Sequence, residues 1–155
     1  MADQEKEVNK EKFTKSVGVV IIRDGQVLLV RHTELARLPT GILGFPAGRV
    51  EEGETDKQGA IRELWEEAGL ITTEENLIDI PENHFKSQLH LKKRVEKFDF
   101  VALVCTGFTG EIKPAVDGKT IPVWVDINNL PENILADVPA IINNTLSFLE
   151  KFRQS

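Results

Sequence analysis

Residues 48–70 read GRVEEGETDKQGAIRELWEEAGL, and the way this stretch divides into loop and helix decides what the rest of the chain must build. Thr55 followed three residues later by Gln58 has the form of a reciprocal helix cap. Beyond it Ala60, Ile61, Leu64, Trp65 and Ala68 recur at helical spacing, and Gly69 stands where a helix ends on a left-handed residue. The spacing predicts a loop over 48–54 and a helix over 56–68. Glu63, Glu66 and Glu67, at i, i+3 and i+4, then share one face, displaced from the apolar one, with neighbouring Cβ atoms about 5–6 Å apart. Like charges this close weaken a helix and raise carboxylate pKa values unless a cation sits among them. An all-oxygen donor set suits a hard divalent ion, Mg²⁺ or Mn²⁺.

A run of glutamates alone ordinarily forms a solvated helix face. Here the run has company in register. The stretch fits, position by position, the box G-x5-E-x7-R-E-U-x-E-E-x-G-U, where U is a bulky aliphatic residue. Its places are filled by Gly48, Glu54, Arg62, Glu63, Leu64, Glu66, Glu67, Gly69 and Leu70. At ordinary residue frequencies such a match arises by chance on the order of 10⁻⁷ in a chain this long. On these residues the chain resembles the Nudix hydrolases.

The resemblance implies a fold and a chemistry. The fold is an α/β/α sandwich with a mixed sheet, the box forming a loop–helix at the sheet edge and a second helix closing the chain. The chemistry is hydrolysis of a nucleoside diphosphate linked to another group, with metal neutralising the bridge and one base taking a proton from water. By the same resemblance Glu66 and Glu67 are metal ligands, Glu63 is a ligand or the base, and the carbonyl of Ala47 completes the shell. Arg62 and Glu54 pair to hold the box helix on its loop. Gly48 and Gly69 are backbone positions chosen for conformation. A further carboxylate from a later loop is expected, with Asp117 the first candidate and Glu111 and Glu96 its competitors. Arg31 is the expected cation against substrate phosphate, and Phe45, Phe85 and Phe98 are candidate base-stacking aromatics. The three histidines make no metal spacing and receive no role.

Outward from the box, residues 17–23 form a β-branched run too apolar to be half exposed, hence a buried strand. Asp24-Gly25 marks a hairpin, and residues 26–31 return as its second strand. Residues 33–42 read as loop and 44–48 as a short extended entry to the box. Downstream, residues 77–80, 85–91, 98–106 and 121–126 read as strands, and 107–120 as a long loop. Residues 136–152 carry helical spacing through Ile141, Leu146, Leu149 and Phe152, with Asp137 and Pro139 suited to the first turn. Strands interleaved with one central and one terminal helix imply an α/β domain over 17–155, preceded by a mobile or partly helical arm over 1–16.

The 155 residues suffice for one hydrophobic core. A net charge of −6 argues against a nucleic-acid polymer as partner, since backbone binding needs a basic surface. No apolar run reaches membrane length, and no membrane is expected. The single cysteine, Cys105, reads as a small buried hydrophobe in a reducing cytosol. Trp65 reads as packing, in the core or in a homodimer. The expected partner is a small nucleotide. Compact length is similar to the nucleoside triphosphate hydrolases, the first expectation, whereas the Pro46-Ala47-Gly48 entry is similar to ADP-ribose and nucleotide-sugar hydrolases. The absence of tyrosine argues against dinucleoside polyphosphates. A nucleotide sensor that does not cleave is the alternative from another class, weighed down by the intact box.

Overall fold

A computed structural model describes residues 12–154. Most of the expected arm, residues 1–11, lies outside the described residues. The first strand, β1 (Thr14–Val20), takes in the last three residues of the arm expected over 1–16. The remaining elements are β2 (Ile22–Arg23), β3 (Gln26–His32), β4 (Leu43–Gly44), β5 (Ala47–Arg49), α1 (Asp56–Ala68), β6 (Leu77–Ile78), β7 (His84–His90), β8 (Val95–Cys105), β9 (Thr120–Asp126) and α2 (Val138–Gln154).

The strands form two sheets. In the first, the order is β5-β1-β8-β6, with β7 also paired to β8; β1 runs parallel to β8 and the other pairs are antiparallel. In the second, β3 pairs with β2, β4 and β9, all antiparallel. The single strand expected over 17–23 is broken at Ile21, so β1 belongs to one sheet and β2 to the other. Leu28 still donates to the Ile21 carbonyl at 3.0 Å, which keeps the bend hydrogen-bonded. The hairpin turn is as expected: Asp24 and Gly25 both have positive φ, 53° and 76°.

The two helices cover opposite sides. Under α1, Ala60, Leu64 and Ala68 pack on Val17, Val19, Leu28, Val101 and Leu103. Under α2, Ile141, Ile142 and Leu149 pack on Val20, Val27, Leu29, Ala102 and Val104. This is the α/β/α layering with mixed strand directions. Leu64 is fully buried, and losing it to alanine would cost about 2–5 kcal/mol. Trp65 is not part of that core: it is 53% exposed, because one residue beyond Leu64 the helix has turned about 100° towards its rim. Cys105 is buried, hydrogen-bonded near Thr72 and the Gly107 carbonyl, and burial pushes its thiol pKa up.

Candidate active site

The loop–helix forms as its sequence dictates. Thr55 Oγ1 accepts from the Gln58 amide at 3.1 Å while Gln58 Oε1 accepts from the Thr55 amide at 3.0 Å, a complete capping box. Gly69 closes the helix in the left-handed region at φ 77°. Between these ends α1 presents its glutamates to a cleft of about 720 Å³ whose floor is the first sheet and whose far wall is the start of α2.

Arg62 organises this face. Its Nε and Nη2 donate to the two oxygens of Glu54 at 2.7 and 3.0 Å, and Nη2 also donates to the Arg49 carbonyl at 2.9 Å. Nη1 donates to Glu63 at 2.9 Å and to Glu66 at 3.3 Å. The expected Arg62–Glu54 pair is therefore present, and the same guanidinium is the cation among the glutamates. The Arg62 hydrogen bonds hold the Glu54 carboxyl below its usual range, and the pair with Glu54 raises the guanidinium in turn. Glu63 differs: burial pushes its carboxyl upward and outweighs the Arg62 contact.

Glu67 has no such partner. Its Oε1 accepts from the Ala47 amide at 2.8 Å, and among the described residues no cation pairs with it. Burial holds its carboxyl well above the usual range, the Glu63 charge adds to this, and Asp117 and Glu66 push in the same direction. Thr120 Oγ1 donates to the Glu67 carbonyl at 3.3 Å, tying the end of the helix to β9.

Ala47, Gly48, Glu63, Glu66, Glu67, Phe45 and Asp117 all line the one cleft. Asp117 is held there by its loop: Thr33 Oγ1 donates to the Gly118 carbonyl at 2.6 Å, and Asp117 Oδ1 accepts from the Lys119 amide at 2.9 Å. Gly48 has no positive φ; what its position demands is space, since a Cβ there would lie 2.1 Å from Glu63 Oε2. Four of the expected candidates stand elsewhere, since Arg31, Glu96, Glu111 and Phe85 do not line the cleft. Arg31 is exposed and does not line the cleft, because alternation along β3 buries its neighbour His32 instead. Glu96 is also absent from the lining: it accepts from Thr14 at 2.8 Å, Arg49 at 3.0 Å and Arg94 at 2.8 Å, fastening β8 to the β1 and β5 edge. Of the aromatics Phe45, Phe98 and Phe100 reach the cleft and Phe85 does not.

The cleft also contains His32, Ser87, Lys119 and Asp137, none of which stood out as a site residue in the sequence. Ser87 Oγ donates to Asp137 across the gap between β7 and α2. Neither residue carries a motif; only the pairing of strand and helix joins them.

Among the described residues no three carboxylate, histidine or cysteine side chains already converge as a metal cage. The donor set nonetheless fits a hard cation. Six carboxylates line the cleft, and three of them, Glu63, Glu66 and Asp117, crowd Glu67, which has no counter-charge among the described residues. Glu66, with a side chain 54% exposed, is free to exchange its 3.3 Å contact with Arg62 for an ion.

A cleft lined by helix-borne carboxylates between two sheets defines an α/β protein built to handle positive charge or a charged ligand. The NUDIX domain model matches residues 12–144, and the chain belongs to the Nudix hydrolase family. It is 36% identical over 101 residues to an RNA pyrophosphohydrolase of Aeromonas hydrophila, covering 64% of this chain and 53% of that protein. It is 27% identical over 124 residues to an ADP-ribose pyrophosphatase of Methanocaldococcus jannaschii, covering 76% and 64%. With an 8-oxo-dGTP diphosphatase of Escherichia coli it shares 29% identity over 91 residues, covering 56% and 70%. The chain thus spans about half the length of the RNA pyrophosphohydrolases it matches. In fold it is similar to a Nudix hydrolase of Clostridium perfringens, with a TM-score of 0.65 at 20% identity over 89% of this chain and 99% of that one. A MutT protein of Methanosarcina mazei gives a TM-score of 0.64 at 21% identity, covering 94% and 99%. Among the described residues no helix is long and apolar enough to cross a membrane.

Proposed function

We propose that this chain is a divalent-metal-dependent hydrolase that cleaves the diphosphate linkage of a nucleoside diphosphate derivative, with nucleoside triphosphates the first substrate class to test. The observation that carries the reading is Glu67, a cleft carboxylate crowded by Glu63, Glu66 and Asp117 and lacking a cationic partner among the described residues. Glu63, Glu66, Glu67 and the Ala47 carbonyl would hold Mg²⁺ or Mn²⁺. When bound, the ion supplies charge neutralisation at the phosphates and a more acidic water.

The chain's own residues do the remainder. Arg62 and Glu54 fix the box helix on its loop, so that the carboxylates keep their relative positions through the reaction. A cleft carboxylate takes the proton from the attacking water, with Glu63 the first candidate and Asp117, on the opposite loop, the second. Phosphoryl chemistry asks for little beyond such positioning and charge stabilisation. Phe45, Phe98 and Phe100 give the far part of the cleft an apolar lining suited to the face of a base.

The names of the relatives differ in what hangs from the diphosphate: an RNA end, ADP-ribose or an oxidised deoxynucleotide. The RNA end is the second reading. It is favoured by Arg37 and Lys119 on the cleft lining, with Arg49 and Lys86 beside them in ion pairs with Glu96 and Asp99, cations that the net charge of −6 does not disclose. The test is a panel of nucleoside triphosphates, ADP-ribose, nucleotide sugars and 5′-triphosphorylated RNA, assayed with Mg²⁺ and with Mn²⁺. Turnover on at least one, lost in Glu67→Gln, is the expected result. Nucleotide binding with no turnover anywhere would replace the hydrolase with a sensor.

A further inference from the structure

His32 occupies the cleft position expected of Arg31. The side chain is buried at 9% exposure and lines the same cleft as Glu63 and Glu67. Its surroundings fix the ring. Nδ1 lies 2.9 Å from the Ile42 carbonyl oxygen, which only accepts, so Nδ1 carries the hydrogen. The backbone is clamped as well: the His32 amide donates to Ile42 at 3.0 Å and its carbonyl accepts from Gly41 at 2.7 Å. Burial lowers the imidazole pKa, so the neutral form prevails near neutrality, with a lone pair on Nε2. Among the described residues nothing donates to that lone pair.

Its place along the cleft narrows what could. In the β3–β9 ladder His32 faces Thr120, whose hydroxyl reaches the Glu67 carbonyl. On its other side the ring approaches Gly44, against which Leu135 of the far wall packs. The imidazole therefore stands between the carboxylate end and the wall that leads to the apolar part. Phosphate oxygens held by a divalent cation offer no hydrogen to an acceptor, and a base stacked by its face keeps at its edge only N–H donors that differ from base to base. A sugar hydroxyl is the donor that lies between the two.

We infer that His32 is a substrate-binding residue whose Nε2 accepts a hydrogen bond from a ribose hydroxyl of the bound nucleotide. The inference rests on the nucleotide-binding reading above and adds the sugar to it. It makes the cleft selective for nucleotides that keep their hydroxyls, by the worth of one net hydrogen bond, about 2- to 12-fold.

Calorimetric binding tests this without turnover, using ribonucleoside 5′-(α,β-methylene)diphosphates of the four bases and their 2′,3′-dideoxy counterparts, with and without Mg²⁺. Two variants separate contact from architecture. His32→Asn keeps an amide donor near the Nδ1 position, for Ile42, and loses the Nε2 acceptor. His32→Gln reaches the Nε2 position with an amide oxygen. The wild type and His32→Gln are expected to prefer the ribonucleotides by about 2- to 12-fold, and His32→Asn to bind both forms alike. Equal binding of both forms by the wild type overturns the inference, as does a ribose preference that survives in His32→Asn. Failure of every analogue to bind overturns the nucleotide reading itself, a different and recognisable result.

Discussion

Gly48 and Glu63 lie so close that a single added methyl group would strike the carboxylate: a Cβ built on Gly48 falls 2.1 Å from Glu63 Oε2 and 2.3 Å from its Cδ. The box glycine and Glu63, fifteen residues apart in the chain, are one steric unit. Gly48→Ala must move something, and the far end of a flexible side chain moves more cheaply than β5. The expected outcome is a folded protein with a displaced Glu63 and a loss of turnover on the order of 10²-fold or more, as small misplacements at reacting centres produce. Turnover near wild type, measured beside an unchanged thermal melt, would overturn the tight coupling of these two residues.

Arg62 predicts a stability effect of another kind. Its guanidinium serves Glu54, Glu63, Glu66 and the Arg49 carbonyl together. Removing it leaves Glu63 buried beside other carboxylates with no counter-charge. Arg62→Ala is expected to cost about 2–4 kcal/mol in urea unfolding, somewhat below the figure for a fully buried ion pair because the guanidinium keeps partial contact with solvent. Arg62→Lys should recover less than half of this, because a point charge cannot reproduce the fork that binds Glu54 through two nitrogens. Full recovery by lysine would mean that net charge, not geometry, holds the loop on the helix.

These two predictions mark what the sequence discloses and what it withholds. The loop–helix was legible because its signals are local: Thr55 with Gln58, the 3.6-residue spacing, and Gly69. The Arg62–Glu54 pair was legible through resemblance. What stayed hidden depends on contacts between distant segments. The choice of His32 over Arg31 turns on the phase of β3, which a run of four buried residues does not reveal. Glu96 reads as a loop acid in sequence, yet β8 extends back to Val95 and gives it to Arg49 and Arg94. Ser87 and Asp137 meet only because α2 starts beside β7. Trp65 fits the apolar pattern of α1 but lies beyond the width of the covered stripe.

His32 also predicts a pH dependence of stability. Its folded pKa lies below the ordinary value of 6.5 because burial disfavours the imidazolium. Below about pH 6.5 the unfolded chain binds this proton more readily than the folded one. The stabilisation is therefore fully present above that pH and is lost as pH falls through the folded pKa, with a slope of at most about 1.4 kcal/mol per pH unit. The glutamates with raised pKa values act in the opposite sense, so the comparison must be between proteins. In urea unfolding from about pH 7.5 to 5, the stability of the wild type relative to His32→Gln should fall as pH falls. Parallel curves would mean that His32 titrates alike in both states.

Metal binding should be readable as stability before any substrate is known. An ion that binds the folded chain alone stabilises it by RT ln(1 + [L]/Kd), about 2.7 kcal/mol at one hundred times Kd. For a chain of this size that corresponds to a rise in Tm of several degrees. Mg²⁺ and Mn²⁺ are expected to produce it and an equal ionic strength of Na⁺ to produce little. Glu67→Gln should abolish the rise, because it removes the carboxylate that has only the Ala47 amide for a partner. The same substitution relieves the repulsion from Glu63, Glu66 and Asp117, so without metal the variant should melt at or above the wild-type temperature. The two effects have opposite signs and a single cause, the Glu67 carboxyl placed among three others without a cationic partner among the described residues. A variant that melts lower without metal, or that keeps the full metal-dependent rise, would place the ion elsewhere in the cleft.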